Sequence, residues 1–268
     1  MEDQRLQEAI DGAEAYEELH VPALFHEWTS RVLDAAQVGS GHRVLDVACG
    51  TGVLSRAAAE RVGGGGAVAG VDPNAGMLTV ARRLSPGIRW KEGVAEELPG
   101  EDAGFDRVVS QFGMMFFTDR GAAVQEMLRV LVPGGRLAVA VWDSLENTPA
   151  YARAVDLLDR AAGPDAANAL RAPFVMGDRA ELEELLRDAG AQDIEGTTPI
   201  GRARFPSLRA MIEADLRGWL PVMGVGLEED LILSILSEAE EELADFVTPA
   251  GQAEFASPAH IVSGRKAG

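Results

Sequence analysis

Positive charge is scarce in this chain, and lysine is scarcest of all. Lys91 and Lys266 are the only two lysines among 24 basic residues, set against 43 aspartates and glutamates. The resulting net charge of −19 repels phosphate backbones and anionic bilayers, which argues against nucleic acid or a membrane as partner. A cationic ligand is not excluded. Schiff-base chemistry finds almost no lysine to use. Cysteine occurs once, so no internal disulfide is possible, and Cys49 reads as a small packing residue rather than a reactive thiol. The four histidines are scattered, and no His/Cys/Asp/Glu cluster has metal-ligand spacing, so no metal is expected. No apolar run approaches membrane-spanning length, and the acidic start Met1-Glu2-Asp3-Gln4 lacks a signal-peptide pattern. A cytoplasmic protein, monomeric or homodimeric, is the expectation.

What the chain does contain is organised around Val44–Gly52. Val44 to Ala48 read as a short buried strand, apolar except for Asp46. Cys49, Gly50, Thr51 and Gly52 force a turn, and Leu54 to Val62 read as the following helix. Strand, glycine turn and helix open a doubly wound α/β domain, in which a nucleotide-like ligand sits against the helix N-terminus. Gly50 and Gly52 allow both positive φ and close approach of a ligand to the backbone. A dinucleotide fits poorly. The position where its fingerprint needs a third glycine holds Ser55, and a carboxylate at Asp46 suits a ligand amino group rather than a pyrophosphate. Ala67 to Asp72 form a second strand. Its terminal acid, Asp72, lies about 20 residues past the turn, where an acid accepting from ribose hydroxyls belongs.

Val44–Gly52 resembles motif I of the class I S-adenosylmethionine-dependent methyltransferases, and in particular the ubiquinone/menaquinone-biosynthesis type acting on small molecules. Asp72-Pro73-Asn74-Ala75-Gly76-Met77 resembles the second motif, which implies that Met77 lies along the adenine and that Pro73 contacts the cofactor. Gly93-Val94-Ala95-Glu96-Glu97-Leu98-Pro99 resembles the adenine loop, but Val94 stands where the family has an acid. Backbone contacts from Val94, Ala95 and Glu96 do not need that side chain. Glu96 either replaces the acid or is solvated. Leu131-Val132-Pro133-Gly134-Gly135 is a further signature. The resemblance covers about half the chain. It implies S-adenosyl-L-methionine as cofactor and a Rossmann-like, seven-stranded, mostly parallel sheet whose last strand is antiparallel. It also implies that Ala48, Gly50, Gly52, Gln111 and Phe112 contact the cofactor, and that an aromatic near the first helix, Tyr16 or Trp28, caps the methionine end. Trp28 reads equally as core.

The organisation expected is one domain. Residues 1–40 form cap helices, with Pro22 in the first turn of a helix bearing Leu24, Phe25, Trp28, Val32, Leu33 and Ala36 as its stripe. Residues 41–146 form the cofactor core, with further strands at Ile88–Gly93, Phe105–Ser110 and Leu137–Trp142. Insertions 147–190 and 207–250, each with two helical patterns, form a lid. Residues 191–206 and 253–268 supply the sixth and seventh strands. Met115 and Phe116 either line an acceptor pocket or face the next helix, and Phe174 and Trp219 join them as pocket candidates. In-line displacement on a sulfonium needs alignment and desolvation. A base is needed only where the acceptor must lose a proton, and His20 and His26 are the candidates. The competing readings are a protein that binds the cofactor without turnover and a nicotinamide-dependent oxidoreductase.

Overall fold

The structure, a computed structural model, describes residues 2–268. Its first half alternates strand and helix: β1 (Arg43–Val47), α3 (Val53–Val62), β2 (Ala67–Asp72), α4 (Ala75–Leu84), β3 (Arg89–Glu92), β4 (Phe105–Gln111), α5 (Arg120–Val130) and β5 (Leu131–Trp142). They follow α1 (Glu2–Ala15) and α2 (Thr29–Ala35). The strands are apolar runs because both sheet faces are covered: Val44, Val47, Val108, Val109 and Leu137 to Val141 are almost fully buried. The strand order is β3-β2-β1-β4-β5, all parallel. The chain leaves β1 towards β2 but returns to its other side for β4. Right-handed crossovers in opposite directions put α3 and α5 on opposite faces, and β1 beside β4 is the switch point.

The second half contains α6 (Pro149–Ala162), α7 (Pro164–Arg171), α8 (Arg179–Asp188), β6 (Gln192–Thr197), β7 (Ile200–Phe205), α9 (Leu208–Ala214), α10 (Leu220–Val222), α11 (Glu229–Glu242) and β8 (Ala253–Arg265). β8 enters antiparallel between β5 and β6, as expected for a last strand. The sheet has eight strands rather than seven. The single strand expected within residues 191–206 is divided at Pro199, which has no N–H for a ladder. β6 pairs with the C-terminal half of β8, and β7 pairs with residues Ala253–Pro258. Three helices, not two, fill the first insertion, because Gly163-Pro164 ends α6 and starts α7. The Pro133–Gly135 turn is a register shift within β5, not a lead-in to it.

The N-terminal segment also departs from expectation. Pro22 does not open a new helix. It lies inside a π-helical stretch, Tyr16–Phe25, which joins α1 to a 3₁₀ turn and α2. Pro22 cannot donate, and the wider i→i+5 winding accommodates it, with His26 N–H donating to Val21 O. α1 packs on α4 at close range: a Cβ on Gly76 would lie 2.4 Å from Ala9 O. That approach lays the π-helical stretch over the carboxyl edge of the sheet.

Candidate active site

The backbone at the end of β1 is unusual. Ala48, Gly50 and Gly52 have φ of 57°, 54° and 88°. Positive φ at an alanine costs about 1–2 kcal/mol. It is tolerated here because Gly113 leaves the room: a Cβ there would sit 2.5 Å from that of Ala48. Gly52 is needed on two counts, its φ and a Cβ that would lie 2.3 Å from the Trp90 ring. The turn aims its backbone at two buried acids on adjacent strands. Asp46, 1% exposed, accepts from Ser55 Oγ at 2.6 Å. Burial pushes its carboxyl up to about 7, with the Asp72 charge adding and the Ser55 hydrogen bond opposing. Asp72 accepts from Gly50 N–H at 2.8 Å and Asn74 N–H at 2.9 Å. Burial raises its pKa too, against those two donors. Cys49 is buried and packs by the same turn, its thiol pushed well up by burial and both acids.

Tyr16 covers the turn from the N-terminal side, its Cε1 4.0 Å from where a Gly50 Cβ would be. It stacks on Phe25 and His20 at 5.2 and 5.7 Å between centroids. Burial and the carboxylates of Asp72, Glu17 and Asp46 push its phenol far above the usual range. Glu17 accepts from Arg56 at 2.5 Å, and Arg56 also donates to Thr51 O at 2.7 Å, so the stretch is tied to α3. Phe25 leans on Phe112 and Trp142, which stack face to face at 3.7 Å. Phe112 holds φ 57° to do so. Gln111 Nε2 donates to Phe25 O at 3.2 Å.

Four buried oxygens around this point have no hydrogen-bond partner among the described residues: Glu17 Oε2, Thr51 Oγ1, Ser110 Oγ and Gln111 Oε1. Thr51, Ser110 and Gln111 belong to the carboxyl ends of β1 and β4. Buried polar groups are rarely left unpaired, and each such gap costs about 1–3 kcal/mol. Two acids, backbone turned by positive φ and a set of free acceptors match the hydroxyls, amine and amide-like edges of an amino-acid nucleoside. The donor set therefore fits the cofactor expected from the sequence.

Several expected residues sit elsewhere. Trp28 is 1% exposed and edge-on to Phe112 and Trp142, so it is core rather than a cap. His26 is exposed, with no side-chain hydrogen bond among the described residues. Val94 is 46% exposed. Glu96 is half-buried, and its Oε1 accepts from Thr118 and Asp119 N–H at 2.8 and 3.2 Å and fixes the entry to α5. Ala95 is buried beside it, Pro73 is exposed and Met77 is half-buried. Phe116 and Trp219 meet at 5.3 Å, while Phe174 packs on Tyr151 and Met115 is buried. Reading the sequence missed Ser55 as the partner of Asp46, the Glu17–Arg56 tie, and Asp215. The first was legible in principle, since residue 55 lies on the first turn of the helix that follows the acid.

A family model described as a methyltransferase domain matches residues 44–135, the span from β1 into β5. The ubiquinone/menaquinone biosynthesis C-methyltransferase UbiE of Chromobacterium violaceum is 37% identical over 185 residues, which cover 62% of this chain and 74% of that protein. The chain belongs to the class I S-adenosylmethionine-dependent methyltransferases. Another member, the 2-phytyl-1,4-naphtoquinone methyltransferase of Thermosynechococcus vestitus, is 39% identical over 119 residues, 43% of this chain. The chain spans about half the length of that relative and of several others, 53% in this case. Among solved structures, a putative methyltransferase from an antibiotic biosynthesis pathway of Anabaena variabilis shares the fold, with a TM-score of 0.65 and 17% identity over 88% of this chain and 96% of that one. Its Rossmann-like core is thus the class I methyltransferase core, and the family's cofactor is S-adenosyl-L-methionine. No helix among the described residues is long and apolar enough to cross a membrane, and no group of three or more potential metal ligands occurs among them.

Proposed function

We propose that this methyltransferase passes the methyl group of S-adenosyl-L-methionine to a small-molecule acceptor in the aromatic-walled site at the carboxyl ends of β1, β2 and β4. The observation that carries the reading is the pairing of two buried carboxylates with four partnerless buried oxygens at the sheet's switch point. Asp46, deprotonated, faces the ligand's ammonium, and Ser55 fixes its rotamer. Asp72 keeps free lone pairs for ribose hydroxyls while its backbone bonds hold it still. Ala48, Gly50 and Gly52 present bare backbone. Pro73 and Met77 flank the adenine, and Val94, Ala95 and Glu96 contribute main chain only. Gln111 and Phe112 stand by the methionine end, and Tyr16, Phe25 and Trp142 exclude water. The cofactor supplies an electrophilic methyl on a sulfonium. The enclosing rings hold the acceptor in line and dry, which is where most of the rate gain lies.

Residues 1–40 act as a cap, and the insertions carrying α6–α8 and α9–α11 act as the lid that selects the acceptor, with Met115, Phe116, Phe174 and Trp219 at its inner surface. The charge of −19 supports a neutral or cationic small molecule over nucleic acid. A single buried cysteine and so acidic a surface suit a cytoplasmic monomer or homodimer. Calorimetric titration with S-adenosylmethionine, S-adenosylhomocysteine and NAD tests the reading. Micromolar binding of the first two and none of NAD is expected; binding of NAD alone overturns it.

A further inference from the structure

Three carboxylates converge on one phenol at the rim of the cofactor site. Asp46 and Asp72 approach from the adjacent strands β1 and β2, and Glu17 approaches from the π-helical stretch of the cap. Burial is the first cause of the raised Tyr16 pKa, and Asp72, Glu17 and Asp46 then add to it in that order, so all three acids lie within electrostatic reach of the phenol. Glu17 divides its two oxygens. Oε1 accepts from Arg56, which also donates to Thr51 O at 2.7 Å on the glycine turn. Oε2 is buried and has no hydrogen-bond partner among the described residues, and neither has Thr51 Oγ1, on a residue 1% exposed. Asp215 is buried too, but it lies among Leu157, Leu158, Leu170 and Leu216 and is not one of the acids that act on Tyr16.

An ion pair that only fastened the cap to α3 would have both carboxylate oxygens satisfied, because a buried acceptor left unpaired is costly. The bare Oε2 suits a cation that has no N–H or O–H to donate. A sulfonium is such a cation, since it offers only its charge and its polarised C–H bonds. In S-adenosylmethionine the sulfur joins the ribose to the amino-acid chain. It therefore falls between the groups assigned to Asp72 and Asp46, in the stretch that Tyr16 covers, its Cε1 4.0 Å from where a Gly50 Cβ would be. On methyl transfer the methyl carbon bonds to the acceptor and the carbon–sulfur electron pair stays on sulfur. The cation thus becomes a neutral thioether in the product, while the ammonium and carboxylate keep their charges.

We propose that Glu17 distinguishes cofactor from product by charge: its carboxylate, carried on the cap, attracts the sulfonium of S-adenosylmethionine and has no such hold on the thioether of S-adenosylhomocysteine. The inference rests on the methyltransferase reading above. Its consequence is a cap that closes on the reactant and loosens once the methyl group has left. Asp46 and Asp72 do not make this distinction through the contacts assigned to them, because both molecules share the ammonium and the ribose hydroxyls. Arg56 works against it, since its own charge repels the sulfonium.

Calorimetric titration of the full chain with S-adenosylmethionine and with S-adenosylhomocysteine, in dilute buffer, tests the proposal. Glu17→Gln keeps the shape of the side chain and removes its charge. It is expected to weaken S-adenosylmethionine binding roughly two- to fivefold and to leave S-adenosylhomocysteine binding within about 1.5-fold. An equal loss for both ligands, or an unchanged ratio of their affinities, makes the ion pair a fastening of the cap only and overturns the proposal. Arg56→Gln breaks the same pair but keeps the acid. Its ratio of S-adenosylmethionine to S-adenosylhomocysteine affinity is expected to equal or exceed the parent's, and a ratio below the parent's overturns the proposal. This second variant decides the matter where Glu17→Gln does not fold. Failure of the parent protein to bind either ligand overturns the methyltransferase reading itself, and the proposal with it.

Discussion

Asp46 is the residue whose protonation the fold controls most directly. Burial holds its carboxyl up at about 7 in the fold, against its ordinary value of 3.8 in the unfolded chain. Below both values each state holds the proton. Between them the unfolded chain releases it and the fold does not, so this group's contribution to stability falls as pH rises, by a total on the order of 4 kcal/mol. Asp46→Asn is therefore expected to match the parent near pH 4 and exceed its stability at pH 8, which urea melts at both pH values check. The same titration acts oppositely on an ammonium-bearing ligand. S-adenosylhomocysteine affinity should rise by roughly tenfold between pH 6 and 8 in the parent and stay flat in Asp46→Asn, as read by calorimetry. Gly52→Ala places a methyl in the Trp90 ring at a positive φ, and a loss of about 2–4 kcal/mol is expected, partly recovered by adding Trp90→Leu. The two acids and the glycines were legible in the sequence because their spacing along one strand–turn–helix–strand unit fixes their relative position. Trp28 and Glu96 were not, since a helical stripe or a loop position does not say what lies across the gap.

At the scale of the element, the π-helical stretch Tyr16–Phe25 closes the site from above, held to α3 through Glu17 and Arg56. Glu17→Gln removes that half-buried ion pair but leaves the Arg56–Thr51 bond. Its loss is expected to be about 0.5–1 kcal/mol, appearing as a two- to fivefold faster cofactor release in stopped-flow measurements, with little change in association. Raising the salt concentration should narrow the difference between variant and parent. The five parallel strands were readable as short apolar runs ending in turn signals. The division at Pro199 and the winding around Pro22 were harder to read. Each proline was visible, but whether it ends an element or is absorbed depends on partners far away in sequence.

At the scale of the whole molecule, arginine supplies nearly all the positive charge, and ion pairs such as Arg43–Asp106, Arg160–Glu242 and Arg202–Glu254 leave many acids over. Self-repulsion of that surplus should make the fold salt-stabilised, with the melting temperature rising by about 2–5 °C on going from dilute buffer to half-molar sodium chloride. The two helical insertions are where the sequence was least informative, because amphipathic helices say which face is buried and not what they bury it against.

β8 bears on how this molecule comes to exist. Its residues pair with β5 across more than a hundred positions of chain, Leu137 with Gly264 and Trp142 with Ala259. Until they arrive, β5 is the open rim of a half-built sheet, its ladder groups free to bind any passing strand. Closing so long a loop is slow. The vulnerable moment in the life of this protein is thus the interval between the assembly of its first five strands and the arrival of β8, when chaperones and aggregation compete for the same bare rim.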